Sequence, residues 1–393
     1  MTPIEKEQRY LLQVYHREPL LVDSGRGCWL FDQAGNHYLD AITGIGVNAL
    51  GHGHPRVLAA LLEQAQRCLH TSNHVYHRYQ GELAERLCGI SGLDRAFFCS
   101  TGTEAMETAL KAVRSYGRAR ETKKTRLVAL RRSFHGRTLG ALAITGQPAY
   151  RRLFEPLTPE VTFVEPNDCH GLANAVSKNT AGIVVEPVLG EGGVIPLNAG
   201  FLRLARDLAT QADAVLVADE IQCGLGRTGR YFAYEWAGIR PDIVTVAKPL
   251  AAGLPLGAVL FTERMAATLP RGMHGTTFGG GPLACRVALE FLAVLDEVLP
   301  RISHLGAGLL HGLHRLREKH PAIVEIRGKG LMIGLELSCP GRPVVERALE
   351  QGLLINCTQR TVLRLLPPYI LSEDEAREII QRLDATLEQA CPR

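Results

Sequence analysis

Three runs of aliphatic residues each end on a charge. Ile183-Val184-Val185 leads into Glu186, Val215-Leu216-Val217-Ala218 into Asp219, and Ile243-Val244-Thr245-Val246-Ala247 into Lys248. The charges follow one another at about 30 residues, the length of a βαβ unit. Open α/β sheets bind ligands at the carboxyl ends of their strands, so an acid and an amine of opposite sign, Asp219 and Lys248, would face a common ligand there. Taken singly, each charge also fits a plainer role, marking the exit of its strand from the core. A second group, Phe98-Cys99-Ser100-Thr101-Gly102-Thr103-Glu104, reads as a strand, a turn of small hydroxyl residues and glycine, and a helix start. Free N–H groups and the positive end of the helix dipole make such a turn a seat for phosphate. The alternative is an ordinary helix start capped by Thr101 or Thr103.

Two further patterns compete. Gly224-Leu225-Gly226-Arg227-Thr228-Gly229 matches the Gly-x-Gly-x-x-Gly of dinucleotide-binding folds, but it begins well past the end of the Asp219 strand and no long helix pattern follows it. A nicotinamide or flavin oxidoreductase is therefore the remote alternative, beside a binding protein without catalysis. His52 and His54, and His70, His74 and His77 at i, i+4 and i+7, have the side chains of metal ligands. No acid falls within residues 51–55 or 70–77, and residues 51–55 read as a tight turn, so no metal is expected.

Positioning the strand-end charges requires a wound sheet. Short aliphatic runs at residues 96–99, 126–130, 161–164, 182–185, 214–218, 242–247 and 257–261 alternate with helical patterns, which is the order of an α/β fold. Their Val, Ile and Leu content without alternation indicates burial on both faces, as in parallel strands. Helices are expected over 104–116 and over 200–210, where Phe201, Leu204, Ala205 and Leu208 share one face. Beyond about residue 283 the pattern turns to helices over 283–299 and 305–319, short strands around 330–337 and 362–366, and a helix from Glu373. The expected division is an N-terminal segment 1–45 packing with the small domain, a large domain 46–282, and a small α+β domain 283–393.

The composition agrees with such a fold. Of 393 residues 46% are hydrophobic and only 6% aromatic, with 40 glycines, which describes an aliphatic core cut by tight turns and excludes collagen-like or low-complexity chains. Lys and Arg number 44 against 40 Asp and Glu, interspersed, so no nucleic-acid partner is expected. The first residues, Met-Thr-Pro-Ile-Glu-Lys-Glu, carry charge where a signal peptide would turn apolar. The longest apolar run, residues 249–262, is short of the roughly 20 residues of a spanning helix and is broken by Pro255. The ten cysteines are scattered without a Cys-x-x-Cys pair and read as reduced thiols, giving a cytoplasmic expectation.

Taken together, these strings resemble one family over nearly the whole chain: the class III, pyridoxal-phosphate-dependent aminotransferases of fold type I, and within it the acetylornithine aminotransferases. The likeness is carried by residues 44–55, 100–105 and 186–193, by Phe134-His135-Gly136-Arg137-Thr138, Asp219-Glu220-Ile221-Gln222 and Lys248, and by His274-Gly275-Thr276-Thr277-Phe278-Gly279-Gly280. Gly224 to Gly229 fall in the family's own Gly-x-Gly-Arg-Thr-Gly string. The resemblance implies a large domain with a seven-stranded, mostly parallel sheet, a smaller α+β domain, and pyridoxal 5'-phosphate as cofactor. Lys248 would bind the cofactor aldehyde and later move the proton between substrate and cofactor carbons, tasks that suit a desolvated amine. Asp219 would face the pyridine nitrogen and keep it protonated. Gln222 would contact the ring hydroxyl and Phe134 stack on the ring. Gly102 and Thr103 would hold the phosphate together with Thr277 of the partner subunit, so that a homodimer shares its active sites.

On the substrate side, Arg364 lies in Val362-Leu363-Arg364-Leu365-Leu366, an apolar setting in which an unpaired guanidinium is strongly unfavourable. It needs a carboxylate, from a substrate or from a structural ion pair. The resemblance makes that partner the α-carboxylate of glutamate, with Glu191 taking its place when the donor is a terminal amine. Arg137 would grip the other carboxylate bidentately, Thr276 would help seat acetylornithine, and Tyr15 aligns with a substrate-side tyrosine of ornithine aminotransferases, packing being its alternative. Two positions depart from the family's Thr-Tyr-Gly-Gly-Asn-Pro string: Phe278 and Gly281 remove a hydroxyl and an amide near the shared phosphate. The expected reaction moves the δ-amine of N2-acetylornithine to 2-oxoglutarate, in arginine biosynthesis. Ornithine, succinylornithine, succinyl-diaminopimelate, γ-aminobutyrate and a carrier-linked lysine are the alternative donors.

Overall fold

A computed structural model of the chain describes residues 1–158 and 160–391; the last two residues of the expected small domain lie outside them. Its centre is a seven-stranded sheet in the order Arg95–Cys99, Gly257–Phe261, Ile243–Val246, Val215–Asp219, Thr180–Val185, Arg126–Leu130 and Val161–Val164. All neighbours are parallel except around Gly257–Phe261, which runs antiparallel to the strands on both sides. Its five residues are all buried, like those of the parallel strands Thr180–Val185, Val215–Asp219 and Ile243–Val246, so an apolar run reports burial and not direction.

Successive residues of the central strands serve opposite faces. Val184 and Val217 pack with Ala105, Met106, Ala109, Val113 and Tyr116 of the helix Gly102–Arg120, while Ile183, Val185 and Leu216 pack with Phe201, Leu202, Ala205 and Ala209 of Ala199–Gln211. Each fully buried Val, Ile, Leu, Met or Phe among them stabilises the fold by about 1.5–3 kcal/mol before entropy is counted. These two layers hold the strand ends in register and thereby fix the spacing of the groups attached to them.

The C-terminal region adds the strands Ile323–Lys329 and Asn356–Thr358 and the helix Arg342–Glu350 to the expected elements, and its first helices differ from expectation. Residues 282–319 form a single helix, Pro282–Lys319, that runs through Pro300 where two helices were expected. Phe291, Leu292 and Leu295 before the proline and Ile302, Leu305, Leu309, Leu313 and Leu316 after it continue one buried stripe. Burial of that stripe outweighs the roughly 3 kcal/mol penalty of an internal proline. Beyond it, Ile323–Lys329, Met332–Leu337, Val362–Leu365 and Asn356–Thr358 make an antiparallel sheet, and Glu373–Ala390 closes the described chain as a helix. Near the other terminus, His37–Asp40 pairs in parallel with Leu353–Leu354, which ties the first residues to the last third of the chain. Among the described residues no helix is long and apolar enough to cross a membrane.

Candidate active site

The carboxyl ends of the parallel strands open on a cavity of about 440 Å³. Asp219 is the last residue of its strand, Glu186 follows Thr180–Val185 directly, and Lys248 lies two residues past Ile243–Val246. Because Gly257–Phe261 is reversed, its leading loop, with Leu254, Pro255 and Leu256, reaches the same cavity. Seven of the expected residues line it: Gly102, Thr103, Phe134, Arg137, Asp219, Gln222 and Lys248. Arg137 stands exposed at its edge.

The floor is a buried polar network. Asp219 is 3% exposed, and its Oδ2 lies 2.7 Å from Nδ1 of His135. Its Oδ1 accepts hydrogen bonds from the Ile221 N–H at 3.1 Å and the Thr245 hydroxyl at 3.2 Å. Burial disfavours a charged His135, but the Asp219 hydrogen bond and charge, together with Glu186, outweigh it and raise the imidazole above its ordinary pKa. Glu186 accepts from the N–H groups of Phe134 at 2.8 Å and Gly190 at 3.2 Å, and burial pushes its carboxyl above the usual range. Lys248 is held below the ordinary lysine pKa, first by burial, with Arg364 acting in the same direction and Glu191 against it. It sits at φ 23°, a conformation that non-glycine residues seldom adopt, as the first residue of a short 3-10 helix.

One wall is the start of Gly102–Arg120. Thr101 caps it by accepting from the Glu104 N–H at 3.2 Å, and Glu104 returns a bond to the Ser100 N–H at 2.8 Å. The cap satisfies the Glu104 N–H and leaves Gly102 and Thr103, the residues expected to seat an anion, facing the cavity. Gly136, at φ 137°, lies so close to Thr103 that a Cβ there would fall 2.3 Å from the Thr103 hydroxyl oxygen. That glycine is needed for the threonine hydroxyl to keep its place, 3.0 Å from the hydroxyl of Thr138.

Arg364 lies behind Gln222 and is fully buried. Its Nη1 donates to Glu191 Oε1 at 2.6 Å and to Gln222 Oε1 at 3.1 Å, and its Nε to Asn356 Oδ1 at 3.2 Å. Burial would raise the Glu191 pKa, but the guanidinium overrides it and holds the carboxyl below its usual range. The charge that the apolar sequence setting demanded is therefore supplied within the chain, by a residue with 22% of its side chain still exposed.

Three expected residues stand elsewhere. Thr276 and Thr277 line a separate cavity with Asn73, Tyr76 and His77, away from Lys248 of the same chain. Tyr15 is 72% exposed, in an N-terminal stretch of which no residue up to Leu20 is buried, and its ring meets the guanidinium of Arg17. It is not among the residues lining the Lys248 cavity. Of the two departures, Phe278 is exposed and tilts against His70, and Gly281 begins Pro282–Lys319 without the side-chain cap that an asparagine would provide.

The competing patterns also find places. Gly224 to Gly229 form turns, and Arg227 among them is buried, donating to the carbonyls of Leu331 and Pro367. His52 lies 2.9 Å from Asp40 Oδ2, an acid distant enough in sequence to escape a local search, and His77 lies 2.7 Å from the Gly280 carbonyl. His135 has no expected role, although it stands beside Phe134 in the string Phe134-His135-Gly136-Arg137-Thr138, and that adjacency is the signal in the sequence for its place on the floor.

Comparison with known proteins bears directly on this arrangement. Residues 12–387 match the family model for aminotransferase class-III. The chain belongs to the class-III aminotransferases. An acetylornithine aminotransferase of Methanocaldococcus jannaschii is 45% identical over 384 residues, covering 97% of this chain and 96% of the relative. Among solved structures, the ornithine aminotransferase of Toxoplasma gondii superposes with a TM-score of 0.93 at 34% identity, covering 98% and 94% of the two chains. The N-acetylornithine aminotransferase of Stenotrophomonas maltophilia K279a gives 0.85 at 34% identity, covering 98% of each. As a class-III aminotransferase the protein has the fold type I architecture, in which the strand-end cavity is a feature of a transferring enzyme and the dinucleotide alternative falls away.

Proposed function

We propose that the protein transfers the δ-amine of N2-acetylornithine to 2-oxoglutarate, giving N-acetylglutamate 5-semialdehyde and glutamate, with pyridoxal 5'-phosphate as cofactor. The residues present suit that cofactor. An anion seat at Gly102 and Thr103, a buried carboxylate at Asp219, an aromatic face at Phe134 and a desolvated lysine border one cavity. The Toxoplasma relative is described with partial occupancy of PLP at its active site. When bound, the cofactor supplies an aldehyde that captures the amine and a pyridinium that draws electrons from the reacting carbon.

The chain's own residues divide the remaining work. Asp219, with His135 behind it, favours a positive charge opposite its carboxylate and so keeps a ring nitrogen protonated. Lys248 Nζ, depressed in pKa, is available as a neutral base that takes and returns the proton. Gln222 offers a side-chain amide to the ring hydroxyl. The single observation that carries the choice of substrates is the Glu191–Arg364 pair. A carboxylate that can be exchanged for that of glutamate lets one pocket serve a terminal amine and a dicarboxylate in turn. Arg137 then grips the carboxylate at the far end of either substrate, and the arginine biosynthetic route follows from the donor.

The same reading makes the enzyme a cytoplasmic homodimer. Leu69, Val75, Tyr76, Met273 and Phe278 are exposed apolar side chains in the segments around the second cavity, a distribution that suits an interface. Thr276 and Thr277, remote from their own chain's Lys248, would serve the site of the other subunit. We assign residues 46–282 to the cofactor domain and 1–45 with 283–393 to the small one, supported by the pairing of His37–Asp40 with Leu353–Leu354. A second reading, with free ornithine as donor, draws on the Toxoplasma superposition. Comparing kcat/KM for N-acetylornithine, ornithine and γ-aminobutyrate with 2-oxoglutarate as acceptor decides between them. The acetylated donor should lead by about tenfold or more, the scale of one well-placed group, and equal or better use of ornithine would overturn the choice.

A further inference from the structure

Arg137 and Arg364 are held by opposite means. Arg364 is buried, and its Nη1 and Nε donate to Glu191, Gln222 and Asn356. Arg137 is exposed, and among the described residues no carboxylate pairs with it. Its contacts are two aromatic rings: its guanidinium carbon lies 4.0 Å from the ring centroid of Tyr150 and 5.3 Å from that of Phe134. The two rings meet edge to face, 6.3 Å apart at 88°. One tyrosine thus touches both the proposed carboxylate grip and the proposed ring-stacking residue.

The geometry of a stacked guanidinium gives this contact a use. Stacking engages the π-face of the group, whereas its five N–H donors point outward in the plane. An arginine oriented by an aromatic face therefore stays presented, with its hydrogen-bonding edge free for a carboxylate. An arginine oriented by an acid would first have to release that acid. A long, exposed side chain otherwise loses rotamer entropy when a ligand fixes it.

Tyr150 itself is well anchored. It belongs to the short helix Pro148–Arg151, where Pro148 sets the first helical turn. The next residue, Arg151, places its guanidinium 4.6 Å from the ring centroid of Phe163 on the edge strand Val161–Val164. Before the helix, the Gln147 amide donates to the Arg132 carbonyl at 3.4 Å, and its oxygen accepts from Gln359 at 3.2 Å. The same Gln359 nitrogen donates to the backbone carbonyl of Glu191 at 2.7 Å, so the platform under Arg137 is braced against the segment that carries the other carboxylate-handling residue.

We propose that Tyr150 is a positioning residue for substrate recognition: its ring holds the Arg137 guanidinium at the cavity mouth, edge outward, for the carboxylate of either substrate. The inference rests on the reading of Arg137 as that grip. The phenol hydroxyl has no part in it, so the ring alone should suffice.

The test uses the cofactor-loaded enzyme and the variants Tyr150→Leu, Tyr150→Phe and Arg137→Ala. The quantities are KM for N-acetylornithine and 2-oxoglutarate, kcat, the inhibition constant of glutarate, and the rate of reaction with hydroxylamine, an amine without a carboxylate. For Tyr150→Leu, both KM values and the glutarate constant should rise about 5- to 20-fold, with kcat within about 3-fold and the hydroxylamine rate within about 2-fold. Tyr150→Phe should restore all of them to near the parent values. Unchanged KM and glutarate constants in Tyr150→Leu, when Arg137→Ala raises both, would overturn the positioning role alone. A hydroxylamine rate falling in step with carboxylate binding would show a general disturbance of the site and also overturn it. If Arg137→Ala leaves carboxylate binding unchanged, the parent reading of Arg137 fails instead.

Discussion

Asp219, His135 and Glu186 on the floor of the cavity are buried and bonded within the chain, whereas Arg137 at its mouth is exposed and rests on aromatic faces. The two regions come from equally polar residues, yet they obey different physics. On the floor, charges shift one another: His135 is raised by Asp219 and Glu186 against its burial. At the mouth, water screens charge, and orientation is what the structure contributes. Glu191 stands between the two, joined to a buried arginine but itself part-exposed, as a group that must change partners during turnover would be.

This contrast ranks the effects of substitution. Asp219→Asn removes a charge where solvent cannot replace it and should lower kcat by about 10²- to 10³-fold, the scale of one preorganised electrostatic contact. It also removes the group that holds the His135 proton, so the His135 pKa should fall, which a histidine NMR titration would detect. A loss under tenfold with an unmoved His135 would mean that the floor does not act as a charged unit. Glu191→Ala should come next. The half-reaction with the δ-amine donor should slow by about tenfold or more, because Arg364 is left without its counter-charge, while the glutamate half-reaction stays within about 3-fold. Single-turnover rates of the two halves measure this, and equal losses in both would remove the exchange role. Tyr150→Leu at the mouth is expected to have the smallest effect on turnover, raising KM and the glutarate constant while kcat stays within about 3-fold.

The floor was more legible in the sequence than the mouth. Three aliphatic runs ending in charge specify strand ends, and strand ends of one sheet converge whatever the loops between them do, so Asp219 and Lys248 could be placed together without knowing a contact. The same logic failed for strand direction at residues 257–261, since burial on both faces looks alike in parallel and antiparallel neighbours. It failed again at Pro300, where a local helix breaker is overruled by a stripe of buried leucines that only the packed helix reveals. Glu191 and Arg364, far apart in sequence, were paired through family resemblance and not through spacing. Tyr150 left no mark, because stacking under an arginine imposes neither a motif nor a period. Tyr15 shows the reverse case: alignment to a short string suggested a role, yet the side chain lies exposed outside its own chain's cavity.

Lys248 gives the most direct test of the account. The purified enzyme, loaded with pyridoxal phosphate, would be reduced with borohydride, digested and mapped by mass spectrometry. The account predicts one pyridoxyl group per chain, on the peptide containing Lys248, and no labelling in Lys248→Ala. A label on another lysine, or no label after saturation with the cofactor, would contradict it.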